Sequence, residues 1–316
     1  MSAGSDRPRE RRSPLPKVMF GLVVMALVGV VYVVSGDTVH ARRVFRGRSW
    51  PSTELVSIDA IDHRPWDTLL LRFVDGAGNV DYAGWKDSRA DVRSLDDYLS
   101  ALSRAQPERE ARREARLAFW INAYNALTIR GILDEYPAAI PDHEAWLGRF
   151  SFWTDLLLHV GDSDYSLTQI EQELLRPMRE PRIHFALVCG ARGCPRLLNR
   201  AYESGKLERQ LRENSRDFFA DPQKLKYDPS TGQLRLSPIL KWYAKDFGES
   251  EQEVWETIAP YLPDEVTRQR PGAIGLSASY LDYDQSLNEQ TPPTGIPLVP
   301  PDASAAASDN PLEEHD

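Results

Sequence analysis

The chain reads as an α+β protein, a small and mostly antiparallel sheet packed by helices, preceded by one N-terminal transmembrane helix. Three observations predict this. Apolar residues at helical spacing alternate with short extended pieces around Gly, Asn and Asp turns. Helices and hairpins interleave rather than repeat as strand–helix–strand units. Near the amino terminus, Val18 to Val34 is an unbroken apolar run.

Residues 1–16 are charged and carry prolines, which predicts a disordered tail. Residues 17–36 hold the anchor. As a helix the apolar run extends about 26 Å at ~1.5 Å per residue, slightly short of the hydrocarbon core, and Ser35 and Gly36 can complete the span. A secretory signal is the competing reading. Its apolar region usually spans about 7–15 residues, shorter than this run, although Val39-His40-Ala41 would serve as a cleavage site. Arg7, Arg9, Arg11, Arg12 and Lys17 precede the run, and Arg42, Arg43, Arg46 and Arg48 follow it. The asymmetry is small and favours the amino terminus inside and the bulk of the chain outside. Residues 37–60 read as a linker and 61–289 as the globular body. Residues 290–316 form an acidic Pro/Ala/Ser tail with too little apolar surface to fold.

The body, roughly 230 residues, suffices for one large domain. The whole chain has 316 residues and a net charge of -9. That balance argues against a nucleic-acid partner, which would require a basic face. The basic run Arg109 to Arg116 is broken by glutamates and reads as a solvated helix face.

Within the body, Val74 to Val80 holds a Gly/Asn turn between extended pieces. Ser94 is placed to cap a helix bearing Leu95, Tyr98, Leu99 and Leu102. Leu117 to Tyr136 is a strong helix closed by Pro137, apolar nearly all round and therefore buried. Phe152 to Ser166 reads as a hairpin turning at Gly161 to Asp164. Ser166-Leu-Thr-Gln169 matches a capping box that opens a helix through Ile170, Leu174 and Leu175. Ile183 to Val188 is a strand candidate. Tyr227 to Leu236 forms a second hairpin around Pro229 to Gly232. Ser237 with Pro238 opens a helix with Ile239, Leu240, Trp242, Tyr243 and Phe247 on its apolar side. A further helix follows Ser250.

Cys189 and Cys194 are the only cysteines. After export such a pair closes into a disulfide; kept reduced, it supplies a thiol, with Cys194 the better nucleophile beside a Gly-rich turn. His184 precedes them. On a straight strand His184 and Cys189 would lie on opposite faces about 16 Å apart, too far for a nucleophile–base pair. The offsets also fit no structural zinc pattern, so neither a metal nor another cofactor is expected. Asn122 and Asn125 share a helix face. Buried amides need partners, so they either brace loops or face a pocket. Glu171 and Arg176 are five apart, poor α-helical spacing for a mutual pair. Asp284 and Asn288 would brace a turn or line the same pocket.

These segments resemble the domain of unknown function 547 family of bacteria and plants over about Trp66 to Asn288. The resemblance rests on Val80-Asp-Tyr82, Phe119-Trp-Ile-Asn-Ala-Tyr-Asn-Ala-Leu127, Ser166-Leu167, Ile170-Glu171 and Leu175-Arg176. It continues through Pro181-Arg-Ile-His-Phe-Ala-Leu187, Cys194-Pro195, Trp242-Tyr243, Asp246-Phe247, Tyr283-Asp284 and Ser286-Leu-Asn288. The family often has Trp where this chain has Gln285. The resemblance implies a shared fold and a shared site around Asn122, Asn125, His184 and Cys194, and no reaction. With the anchor, it places the expected location at a bacterial inner membrane, single-pass, the bulk of the chain periplasmic or extracellular.

The leading functional reading is a ligand- or protein-binding module with a pocket around Asn122, Asn125 and His184 and a cysteine staple. The alternative is a thiol-dependent hydrolase or acyl transferase. There Cys194 attacks a carbonyl, His184 acts as base, and Asn122 or Asn125 orients the imidazole or binds the oxyanion. Thiol–disulfide exchange comes third, because the spacing is not Cys-x-x-Cys.

Overall fold

The apolar helix read from Leu117 onward organises the molecule. In the computed structural model, which describes residues 43–137, 151–269 and 279–290, it spans Arg113–Glu135. The expected anchor over 18–34 and the residues 1–16 and 291–316 of the two predicted tails lie outside the described residues. Among the described residues, no helix is long and apolar enough to cross a membrane.

The described residues begin with β1 (Val44–Arg46), then α1 (Arg64–Phe73), α2 (Tyr82–Asp87), α3 (Arg89–Leu102) and the central α4 (Arg113–Glu135). Next come α5 (Phe152–Asp155), β2 (Leu156–Val160), β3 (Ser163–Ser166), α6 (Leu167–Gln169) and α7 (Leu207–Ala220). The last part holds β4 (Leu225–Asp228), β5 (Gln233–Leu236), α8 (Ile239–Trp242), α9 (Ala244–Phe247), α10 (Glu251–Ile258), α11 (Asp264–Gln269) and β6 (Ser279–Tyr280). The class is mixed α and β, as expected, but with two small sheets among the described residues rather than one. Each is three-stranded: an antiparallel hairpin, β2–β3 or β4–β5, with a third strand added in parallel, β1 beside β2 and β6 beside β5.

Both hairpins form where the turn residues place them, although a helical turn, α5, takes up Phe152–Asp155 before the first. Part of the stretch read as a linker is built into the domain: β1 pairs with β2, and Leu55 and Ile58 are buried. The cap at Ser94 is a misplacement. Helix α3 starts at Arg89, capped by Ser88, and Ser94 lies inside it, donating its hydroxyl to the Ala90 carbonyl. The α4 core is flanked by Trp66, Trp85, Tyr98 and Leu158, while Phe185, Phe218, Phe219, Leu236 and Trp255 form a second apolar cluster.

The strand expected over Ile183 to Val188 is absent. Pro181–Phe185 is a 3-10 helix, opened by Pro181 and by Glu180 accepting from the Arg182 N–H. Buried backbone needs partners from somewhere, and here side-chain amides supply them. Asn214 Nδ2 donates to the Phe185 carbonyl at 3.0 Å. Asn125 Nδ2 donates to the Ala186 carbonyl at 2.9 Å, and its Oδ1 accepts from the Val188 N–H at 3.1 Å. An apolar run buried this way looks, in sequence, like a core strand.

Candidate functional site

Because residues 183–190 coil instead of extending, His184 and the cysteines come to one cavity. The opposite-face argument fails with the strand on which it rested. The cavity has a volume of about 540 Å³. Its lining draws Tyr124 from α4, Trp153 from α5, Glu171 and Gln172 from the segment after α6, and Trp242 and Tyr243 from the end of α8. Thr168, His184, Cys189, Cys194, Tyr283 and Gln285 complete the polar and aromatic part of the wall.

Glu171 and Arg176 are arranged by an unusual helix. The capping box at Ser166 and Gln169 forms as read. The next turns, Ile170–Leu175, are π-helical, and the Arg176 N–H bonds the Glu171 carbonyl. An i→i+5 bond brings residues five apart onto one face, a device frequent at functional sites. Arg176 grips Asp246 at two points, Nε to Oδ2 at 2.6 Å and Nη2 to Oδ1 at 2.8 Å. Glu171 receives side-chain hydrogen bonds from Tyr243 and Tyr124 and, at 3.1 Å, from Gln172 Nε2. Burial raises its pKa, and the Tyr243 and Tyr124 hydrogen bonds with the Arg176 charge only partly oppose the rise.

His184 is 4% exposed. A carboxylate only accepts, so its Nε2–H donates to Asp246 Oδ2, at 2.7 Å. The ring stacks on Tyr243, centroids 3.9 Å apart. Burial drives its pKa down to about 4 against the opposing pull of Asp246, so the imidazole is neutral at physiological pH. Burial also works to raise Asp246, but hydrogen bonds from Arg176 and His184 outweigh it and hold that carboxyl below its usual range.

Cys189 and Cys194 are joined in a disulfide, Cα atoms 6.2 Å apart. The Tyr283 hydroxyl lies 3.2 Å from Cys189 Sγ and 3.1 Å from Cys194 Sγ, and the Cys189 N–H points to Cys194 Sγ at 2.9 Å. Joined in this way, neither sulfur is a thiolate, the form that nucleophilic chemistry needs. Alkylation of the purified protein without reductant should therefore label no cysteine, folded or denatured. A single fast-reacting thiol at Cys194 would contradict the pairing.

The other residues singled out from sequence do not line this cavity. Asn122 brackets Tyr202, donating to its carbonyl at 2.8 Å and accepting from its N–H at 2.9 Å. Asn125 holds the 186–188 backbone as described, one layer behind the wall. Asn288 accepts from the Tyr82 hydroxyl and donates to the Gly78 carbonyl. Asp284 closes a local turn through Ser286 and borders a second, smaller cavity beside Lys224. The sequence reading assigned no role to Asp246, Tyr124, Trp153 or Tyr243. Trp242-Tyr243 and Asp246 stood among the resemblance motifs, but nothing local ties Asp246 to a histidine 62 positions earlier.

The fold and cavity thus define a mixed α and β domain with an aromatic-walled pocket and a disulfide in its wall. Residues 108–219 match the model of the family described as "Protein of unknown function, DUF547", so the chain carries a domain of that family. The match covers Tyr124, Glu171, His184 and the disulfide, while Trp242, Tyr243, Asp246 and Tyr283 lie beyond it. No curated protein and no solved structure matches the chain.

Proposed function

We propose that this protein is a ligand-binding module, anchored in a bacterial inner membrane by residues 18–34 and exposed to the periplasm. One observation carries the binding reading: the roughly 540 Å³ pocket, within the size range of small-molecule sites, with aromatic walls and a few convergent polar groups. The periplasmic placement draws support from the disulfide, since such bonds persist in oxidising compartments. The ligand replaces water around Glu171, His184 and Gln285. Trp242, 55% exposed and 5.0 Å from Tyr283 between ring centroids, stands at the rim.

A thermal-shift screen of small molecules on the full-length protein tests this. Hits should lose about 1–2 kcal/mol of binding, roughly 5- to 30-fold in affinity, in Trp242→Ala, with the unliganded melting temperature little changed. Hits indifferent to that substitution would place binding elsewhere.

A second reading, chemistry at Cys194, has one observation behind it. Once reduced, a Cys194 thiolate would have the Cys189 N–H and the Tyr283 hydroxyl as donors, a setting that lowers a thiol pKa. It requires a reductant, and reductant-dependent turnover of a thioester or peptide probe, abolished by Cys194→Ala, would put it first.

A further inference from the structure

We propose that the pocket receives an organic cation of the alkylated-ammonium class, its charge facing Glu171 and its apolar shell facing Tyr124, Trp153, Trp242 and Tyr283. This rests on the pocket being a ligand site, and it names the ligand.

The charge pattern selects the sign. Among the described residues that line the cavity there is one carboxylate, Glu171, and no Lys or Arg. Behind the wall, Arg176 and Asp246 neutralise each other in their two-point ion pair. His184 is neutral and adds nothing. Glu171 is left half-buried with only a share of the Arg176 charge, which Asp246 takes up at two points, and a desolvated charge so weakly compensated is costly. A bound cation relieves that cost, whereas an anion would add to it.

The hydrogen bonds select the kind of cation. An ionised carboxylate offers about four acceptor positions. Tyr243, Tyr124 and Gln172 already donate to Glu171. It therefore presents charge more than free lone pairs, which suits a cation with few or no N–H groups. The walls agree, because aromatic faces attract cations whose charge is spread over an apolar shell. Tyr243 is not one of those faces. His184 stacks on its ring, and the Arg176 guanidinium already lies 5.6 Å from its centroid. A neutral sugar would stack on the same walls but leave Glu171 uncompensated.

The test is calorimetric titration of the full-length protein with choline and with the neutral alcohol in which a tert-butyl group replaces the trimethylammonium. Choline is expected to saturate one site and to bind at least about tenfold tighter than its isostere. Glu171→Gln should erase that preference without lowering the melting temperature, and Trp242→Ala should weaken choline in the native background. Equal binding of the two probes, or a preference that survives Glu171→Gln, overturns the cation. If neither probe binds while a neutral screening hit still responds to Trp242→Ala, the pocket reading stands and the cation falls. If no compound responds to Trp242→Ala, both fall.

Discussion

Asn122→Leu is expected to destabilise the domain by about 2–5 kcal/mol, because it strands two buried backbone groups and each orphan costs about 1–3 kcal/mol. The amide serves both the N–H and the carbonyl of Tyr202. Tyr202 is itself buried, its hydroxyl accepting from Asn214 Nδ2. Leucine fills a similar volume, so the loss isolates the hydrogen bonds rather than a cavity. Such a loss is a large fraction of the about 5–15 kcal/mol that holds an ordinary domain together. Asn125→Leu should cost a similar amount through Ala186 and Val188, and should also disturb the pocket, since Val188 and Leu187 line it. Urea unfolding of the two variants separates these effects. A loss below about 1 kcal/mol for Asn122→Leu would mean that water replaces the amide and that the bracket is dispensable.

The same two amides mark how far the sequence could be read. Features closed within a few residues were legible: the capping box at Ser166, the hairpin turns at Gly161 and Gly232, the cap at Ser250 and the wholly apolar face of α4. Their physics is local, so spacing and residue type suffice. Ile183 to Val188 was not legible, because its backbone is satisfied by Asn125 and Asn214 from distant helices, and hydrophobicity cannot tell that from a sheet ladder. The site suffered most from this. Reading a strand put His184 and Cys189 on opposite faces, and the 3-10 turn reverses that conclusion. The spacing of Glu171 and Arg176 was read as poor for a mutual pair, and that holds, since Arg176 pairs with Asp246 instead, but the π-helical backbone that carries the two was not foreseen. Asp246 joins His184 only through tertiary folding, which no local pattern records.

Lowering the pH from 7 should weaken the domain, because buried neutral histidines resist protonation. His184 titrates near 4 when folded, against 6.5 for an unperturbed imidazole. A base whose folded pKa is the lower one takes up its proton first in the unfolded chain. The stability it contributes is therefore complete above about pH 6.5 and is lost as pH falls toward 4, by roughly 3 kcal/mol at most. His63 acts in the same direction. Burial lowers its pKa to about 4, and its Nδ1 lies 2.8 Å from the hydroxyl of Tyr98. Asp246, held below its usual range, gives up its own contribution only at still lower pH. The urea midpoint should therefore fall steadily from about pH 7 to about pH 4.5, as pH drops from the unfolded histidine value of 6.5 toward the folded values of about 4. His184→Phe keeps a ring against Tyr243 and leaves Asp246 to Arg176, so it should flatten much of that slope, the remainder belonging to His63. A midpoint independent of pH over this window, or an unchanged slope in His184→Phe, would show that the imidazole is charged or hydrated in the native state. A charged imidazole would place a positive charge in the pocket wall and count directly against a cationic ligand beside Glu171.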